Sequence, residues 1–178
     1  MKRGRFDLKQ YALTAMLAAM CTVLGGISLR LGGNFEFTFE SIPVHIGALL
    51  YGPVEGALIG GIGTFVYQIL LSGYGITATT PLWILPYVVC GLIVGTWSKH
   101  RGKQHKHARL SLIIFAAEIV ITLLNTLALL VDSLLYGYYT PAFVFGTLVV
   151  RLFICGAKAV AYGSVLPKLM RQLLRVGF

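Results

Sequence analysis

Apolar runs alternate with three clusters of Lys and Arg along this chain, and the clusters fall where every second apolar run ends. They are Lys2, Arg3, Arg5 and Lys9, then Lys99, Arg101, Lys103, Lys106 and Arg109, then Lys168, Arg171 and Arg175. Together they hold twelve of the fifteen Lys and Arg residues. Basic residues resist translocation and stay in cytoplasmic loops. The pattern therefore predicts an integral membrane protein whose N-terminus, 98–109 loop and C-terminus share the cytoplasmic side. The net charge of +9 belongs to that topology, and no nucleic-acid partner is read from it. Only 12% of residues are charged, 57% are hydrophobic and the mean hydropathy is +0.80. Soluble domains carry about 25% charged residues, so the lipid bilayer is the expected surrounding for a single domain over residues 1–178.

A helix needs about 20 apolar residues to cross the hydrocarbon core. The spacing predicts six transmembrane helices: 8–29, 41–51, 54–72, 81–97, 109–135 and 141–166. The first apolar run is too long for a signal-peptide core and no A-x-A-like site follows, so it reads as a retained helix. The second is too short to span unaided. It turns at Gly52-Pro53 into the third, forming a tight helical pair at the cytoplasmic side. Pro86 sits inside the fourth, where it removes a backbone donor and predicts a kink. Between the first two helices, Phe35-Glu36-Phe37-Thr38-Phe39-Glu40 alternates with the period of a strand. An extended loop over a cavity or along the membrane surface fits that alternation. The expected architecture is an all-α compact bundle with both termini cytoplasmic.

Ionisable groups inside a membrane are costly, so each needs a reason. They are Glu118, Asp132, Arg151 and Lys158, with Glu55 near the cytoplasmic turn. Counting ~1.5 Å per residue, Arg151 lies at the depth of Asn125, while Glu118 and Lys158 share the inner half and invite an ion pair. Arg151 either ties two helices together through Asp132 or Asn125, or meets an anionic group of a ligand. Aromatic and polar residues gather at the outer end: Phe35, Phe37, Tyr67, Trp83 and Tyr87, with Glu36, Glu40 and Gln68. Flat apolar walls with a few placed polar groups describe a small-molecule site. The candidate substrate-binding set is thus Phe35, Glu36, Phe37, Glu40, Tyr67, Gln68, Trp83, Tyr87, Asn125, Asp132 and Arg151. His45 reads equally as a pocket residue or as a packed core histidine.

No Walker A, HExxH, CxxC or GxSxG motif occurs, so no catalytic residue, metal or cofactor is assigned. His100, His105 and His107 alternate with Lys and Arg, a solvated polybasic turn whose cations oppose metal binding. Cys21, Cys90 and Cys155 each lie in an apolar run and read as small buried hydrophobes. Gly56 and Gly60 form a GxxxG pair, a close-packing signal in lipid. Ala15 and Ala19 form a small-residue pair that either packs inside the bundle or leaves a flat lipid-facing strip for a partner. A small intramembrane enzyme and a channel are the rival classes; the acids are dispersed along the chain, and the polar groups crowd its outer half.

These residues carry a resemblance. The Ala15-xxx-Ala19 strip, Phe37-Thr38-Phe39-Glu40-Ser41-Ile42-Pro43-Val44, Leu50-Tyr51-Gly52-Pro53 and the Gly-rich third helix resemble the substrate-binding membrane subunit (S-component) of energy-coupling-factor (ECF) vitamin transporters. The resemblance spans nearly the whole chain. It implies a multi-pass protein of the bacterial cell membrane that is not an enzyme and binds a water-soluble vitamin or precursor in an outward cavity. Pantothenate, a folate, a thiamin precursor and a pyridoxine-like vitamin all remain open. It further implies a transmembrane scaffold subunit and two cytoplasmic ATPases as partners, docking through Ala15 and Ala19, and delivery by toppling in the membrane.

Overall fold

The computed structural model describes residues 8–27, 29–30, 36–73, 75–101, 107–146 and 148–175. The elements are α1 (Leu8–Gly26), β1 (Leu29–Arg30), β2 (Glu36–Phe37), α2 (Ser41–Tyr51), α3 (Pro53–Leu70), α4 (Thr80–Arg101), α5 (His107–Leu135), α6 (Pro141–Phe145) and α7 (Leu148–Arg175). Five stretches are long and apolar enough to cross a membrane: α1, α3, α4, α5, and α6 with α7. At eleven residues, α2 extends about 16 Å and falls short of a ~30 Å hydrocarbon core.

The short helix sits at the centre of the bundle. Pro43 and every residue from Val44 to Leu49 are buried, because α1, α3 and α4 pack around it. The chain leaves α2 through Gly52 at φ 112°, a backbone region that side chains disfavour. Pro53 then opens α3 at a position where its missing N–H is not needed.

Glycine sets the spacing of this half. A Cβ on Gly91 of α4 would lie 2.3 Å from the Gly56 carbonyl carbon, and one on Gly60 would lie 2.6 Å from the Tyr87 carbonyl oxygen. The Gly56–Gly60 pair therefore brings α3 against α4 backbone to backbone, as its spacing predicts. Gly91→Ala is expected to force the two helices apart at a cost of about 1–3 kcal/mol. A lowered thermal midpoint of the detergent-solubilised protein is the check.

The outer surface is apolar, with Leu8 82% and Phe153 80% exposed. In water such a surface would be an aggregation hazard; against acyl chains it is at home.

Two expectations need correction. The sixth helix is not continuous over 141–166. Thr140 caps α6 by accepting the Phe143 N–H at 3.2 Å, and the helix closes at Gly146, whose N–H donates to Ala142 at 2.9 Å. An unbroken apolar run records depth in the membrane, and it carries no mark of where the helical phase is interrupted. The strand-like alternation is also shorter than it reads. Glu36–Phe37 pair antiparallel with Leu29–Arg30 as one small hairpin, and Phe39–Glu40 have already turned toward α2.

Candidate functional site

At the end of the bundle away from Lys99 and Arg109, a cavity of about 700 Å³ opens between α3, α4, α5 and α7. That volume is in the range of small-molecule sites. Glu40, Tyr67, Gln68 and Trp83 line it, and so do Tyr87, Asn125, Asp132 and Arg151. Eight of the eleven candidate residues thus meet around one space. Glu36 and Phe37 lie in β2, and Phe35 lies outside the described residues.

Helical phase explains the wall. On α5, Glu118, Thr122, Asn125, Leu129 and Asp132 fall on one face at spacings of three and four. On α7, Arg151, Ile154, Cys155 and Lys158 do the same. The two helices run antiparallel in contact, and their register is fixed by two pairings. Lys158 Nζ lies 3.9 Å from Glu118 Oε2, and a Cβ on Gly163 would strike Ser111. Seven residues outward from the Glu118–Lys158 pair along each helix, Arg151 stands level with Asn125. The wall therefore has three polar layers, about 10 Å apart along the helices: Asp132 at the mouth, Asn125 with Arg151 in the middle, and Glu118 with Lys158 at the floor.

Each carboxylate has an internal donor. Thr64 Oγ1 donates to Glu40 Oε1 at 2.6 Å. Asp132 accepts from Thr79 Oγ1 on one oxygen and from the Tyr138 hydroxyl on the other, so it clasps the α3–α4 and α5–α6 loops together. Tyr138 also packs edge-on against Phe143 of α6, with ring centroids 5.4 Å apart. Glu118 Oε1 shares a proton with His45 Nε2 at 3.0 Å. Burial pushes the carboxyl of Glu40, which precedes α2, up to about 7, against the opposing effect of hydrogen bonds from Thr64 and Tyr87.

His45 is fully buried beneath the floor. Its Nδ1 lies 3.8 Å from Cys90 Sγ, and its ring meets Tyr162 edge-on at 5.9 Å. It is a core histidine that positions Glu118. Below it Leu110, Ile114 and Leu166 fill the interior, so the cavity is closed on that side. Among the described residues no group of His, Cys, Asp and Glu could hold a metal ion.

Sequence reasoning singled out Glu118 and Lys158 as an ion pair but left both outside the site. Their spacing of seven residues from Asn125 and Arg151 was the available signal. Thr64 of α3 and the loop residues Thr38 and Thr77 also line the cavity; an uncharged hydroxyl costs little in either setting, so hydropathy does not single them out.

A family model described as ECF transporter, substrate-specific component, matches residues 9–174. The chain belongs to that family. Its members are substrate-binding components of transporters, which is a different class from enzymes. The fold agrees: the crystal structure of an S-component for biotin from an ECF-type ABC transporter superposes with a TM-score of 0.70, at 14% identity, covering 93% of this chain and 92% of that one. No curated protein matches. The two chains thus share one fold over nearly the whole length of each. Ala15 and Ala19 are exposed on α1, which separates the two readings of that pair: the alanines face outward and are not part of the bundle's own packing.

Proposed function

We propose that this ECF substrate-specific component binds a water-soluble vitamin or vitamin precursor in the cavity bounded by α3, α4, α5 and α7. It does so in a bacterial cell membrane, with both termini cytoplasmic and the cavity facing out. The ligand is then delivered by toppling on a transmembrane scaffold subunit, driven by two partner ATPases. The convergence of eight sequence-selected residues on one closed-ended cavity, in a chain of this family, carries the reading. Trp83 and Tyr87, one turn apart on α4, offer flat surfaces for a ring. The outward-facing Ala15 and Ala19 support docking through α1, because small residues let another helix approach closely in lipid. The plug of Leu110, Ile114 and Leu166 weighs against a channel.

Reconstitution into liposomes tests the proposal. The chain alone should bind but not accumulate the radiolabelled small molecule that co-purifies with it. Accumulation should require the scaffold, both ATPases and ATP. ATP-independent accumulation by the chain alone would overturn the reading.

A further inference from the structure

We infer, on the reading of the cavity as the ligand site, that the ligand carries an uncharged flat ring whose edge sets an N–H beside a C=O. That edge is the mark of a lactam or cyclic urea, and the Asn125 side-chain amide of α5 reads it. The groups of the wall that are already engaged decide the chemistry. Asp132 accepts from Thr79 and Tyr138, Glu118 faces His45 and Lys158, and Glu40 accepts from Thr64. Arg151 and Lys158 likewise take part in interactions within the protein. The charged residues of the cavity thus have partners of the protein's own. Asn125 and Gln68 also line it, and among the described residues neither side-chain amide hydrogen-bonds to the protein. What stays open to a ligand is one neutral amide on each of two helices.

Two contacts set the heights. The Thr79–Asp132 hydrogen bond joins α4 to α5 at the mouth. Tyr87 lies eight residues inward of Thr79, and Asn125 seven inward of Asp132. Both therefore stand about 10–12 Å below the mouth, at one level. A Cβ on Gly60 would lie 2.6 Å from the Tyr87 carbonyl oxygen, so Gln68, eight residues further out on α3, stands about 12 Å above that level. Trp83 is one turn outward of Tyr87. Because α4 packs against both α3 and α5, a ring lying along Trp83 and Tyr87 turns its inner edge to Asn125 and its outer end to Gln68.

A ligand that displaces water from an amide loses affinity unless it reproduces the bonds that water made. The Asn amide sets a donor and an acceptor side by side. A lactam or cyclic urea holds its N–H and C=O on one side and meets them with two parallel bonds, as Asn meets the N6/N7 edge of adenine. An open-chain secondary amide is trans, so its N–H and C=O point apart. A hydroxyl satisfies one of the two groups, and a carboxylate offers the amide oxygen no donor.

The test is a binding panel on the purified full-length protein in detergent at pH 7.5. Riboflavin, biotin and folate are each paired with the form methylated on the ring nitrogen of that edge. Thiamin, pyridoxine, pantothenate and nicotinate complete the panel. The tightest ligand should carry the ring edge and bind about 100-fold better than its methylated form, since a site built around a polar group rejects analogues lacking it. Asn125→Leu should cut that ratio by tenfold or more, mainly by weakening the parent compound. Should Asn125→Leu fail to fold, the same fall is expected of Asn125→Ala.

A tightest ligand without the ring edge would overturn the inference. So would a ratio that falls by less than tenfold in a folded Asn125 variant. If no panel member binds, mass spectrometry of the molecule released on denaturation decides: a lactam or cyclic urea supports the inference, and any other molecule or none overturns it. Thr122→Trp, which fills the cavity one turn below Asn125, separates the two levels. Binding that survives it places the ligand elsewhere and defeats the cavity reading itself. Loss of binding, with a preferred ligand that lacks the ring edge, defeats only the inferred chemistry.

Discussion

Replacing Ala15 and Ala19 together by tryptophan is expected to cut uptake by cells to under about a tenth of the wild-type level while leaving ligand affinity within about twofold. Both residues face outward from α1, so the added rings project into lipid and do not enter the core. The same helix is tied inward elsewhere, by Thr22 Oγ1 donating to the Gly63 carbonyl at 2.9 Å and by Gln10 donating to Glu55 at 2.7 Å. Those bonds are untouched by the substitution, and the cavity lies among other helices. A helix–helix contact through small residues depends on close backbone approach, and two indole rings prevent it. Ligand titration beside an uptake assay separates the outcomes. Uptake that persists would remove α1 from docking, whereas lost affinity would show that the strip has a structural role.

Asp132→Ala is expected to raise the ligand dissociation rate by about tenfold, with a smaller effect on association. Asp132 joins Thr79, which precedes α4, to Tyr138, which follows α5. A hydrogen bond is worth about 0.5–1.5 kcal/mol net, and less where one partner is as exposed as Tyr138. Losing the clasp frees both loops at the mouth. The check is stopped-flow displacement of bound ligand. Asp132→Asn keeps one acceptor oxygen and adds an N–H that can donate to the other hydroxyl, but it loses the charge, and it should fall between the two. Affinity falls in either case, so loop accessibility to a cysteine-reactive probe decides: it should rise if Asp132 is a clasp and stay unchanged if Asp132 contacts ligand directly.

The membrane class and nearly every helix were legible because basic residues mark helix ends and apolar runs mark spans. The cavity was legible in part. Arg151, Asn125 and Asp132 stood out because polar groups are costly in hydrocarbon, and Trp83 and Tyr87 stood out because they are aromatic near an end. Three things lay outside that kind of reasoning. Gly146, where α6 closes, stands in a run that stays apolar on both sides, so hydropathy is silent about it. Glu118 lines the cavity and also pairs with His45, a partner 73 positions earlier; no local pattern connects residues that far apart. Asp132 was legible as a polar residue near the mouth, yet its two partners come from separate loops and only tertiary structure brings them together.

The central claim is that a small molecule sits in the cavity walled by α5 and α7. Equilibrium titration of the purified protein, alone in detergent, with the small molecule it carries through purification tests this most directly. One molecule should bind per chain with submicromolar affinity, and Thr122→Trp should weaken it by about 100-fold or more in a protein of unchanged thermal stability. Undiminished one-to-one binding to a folded Thr122→Trp protein would contradict the account.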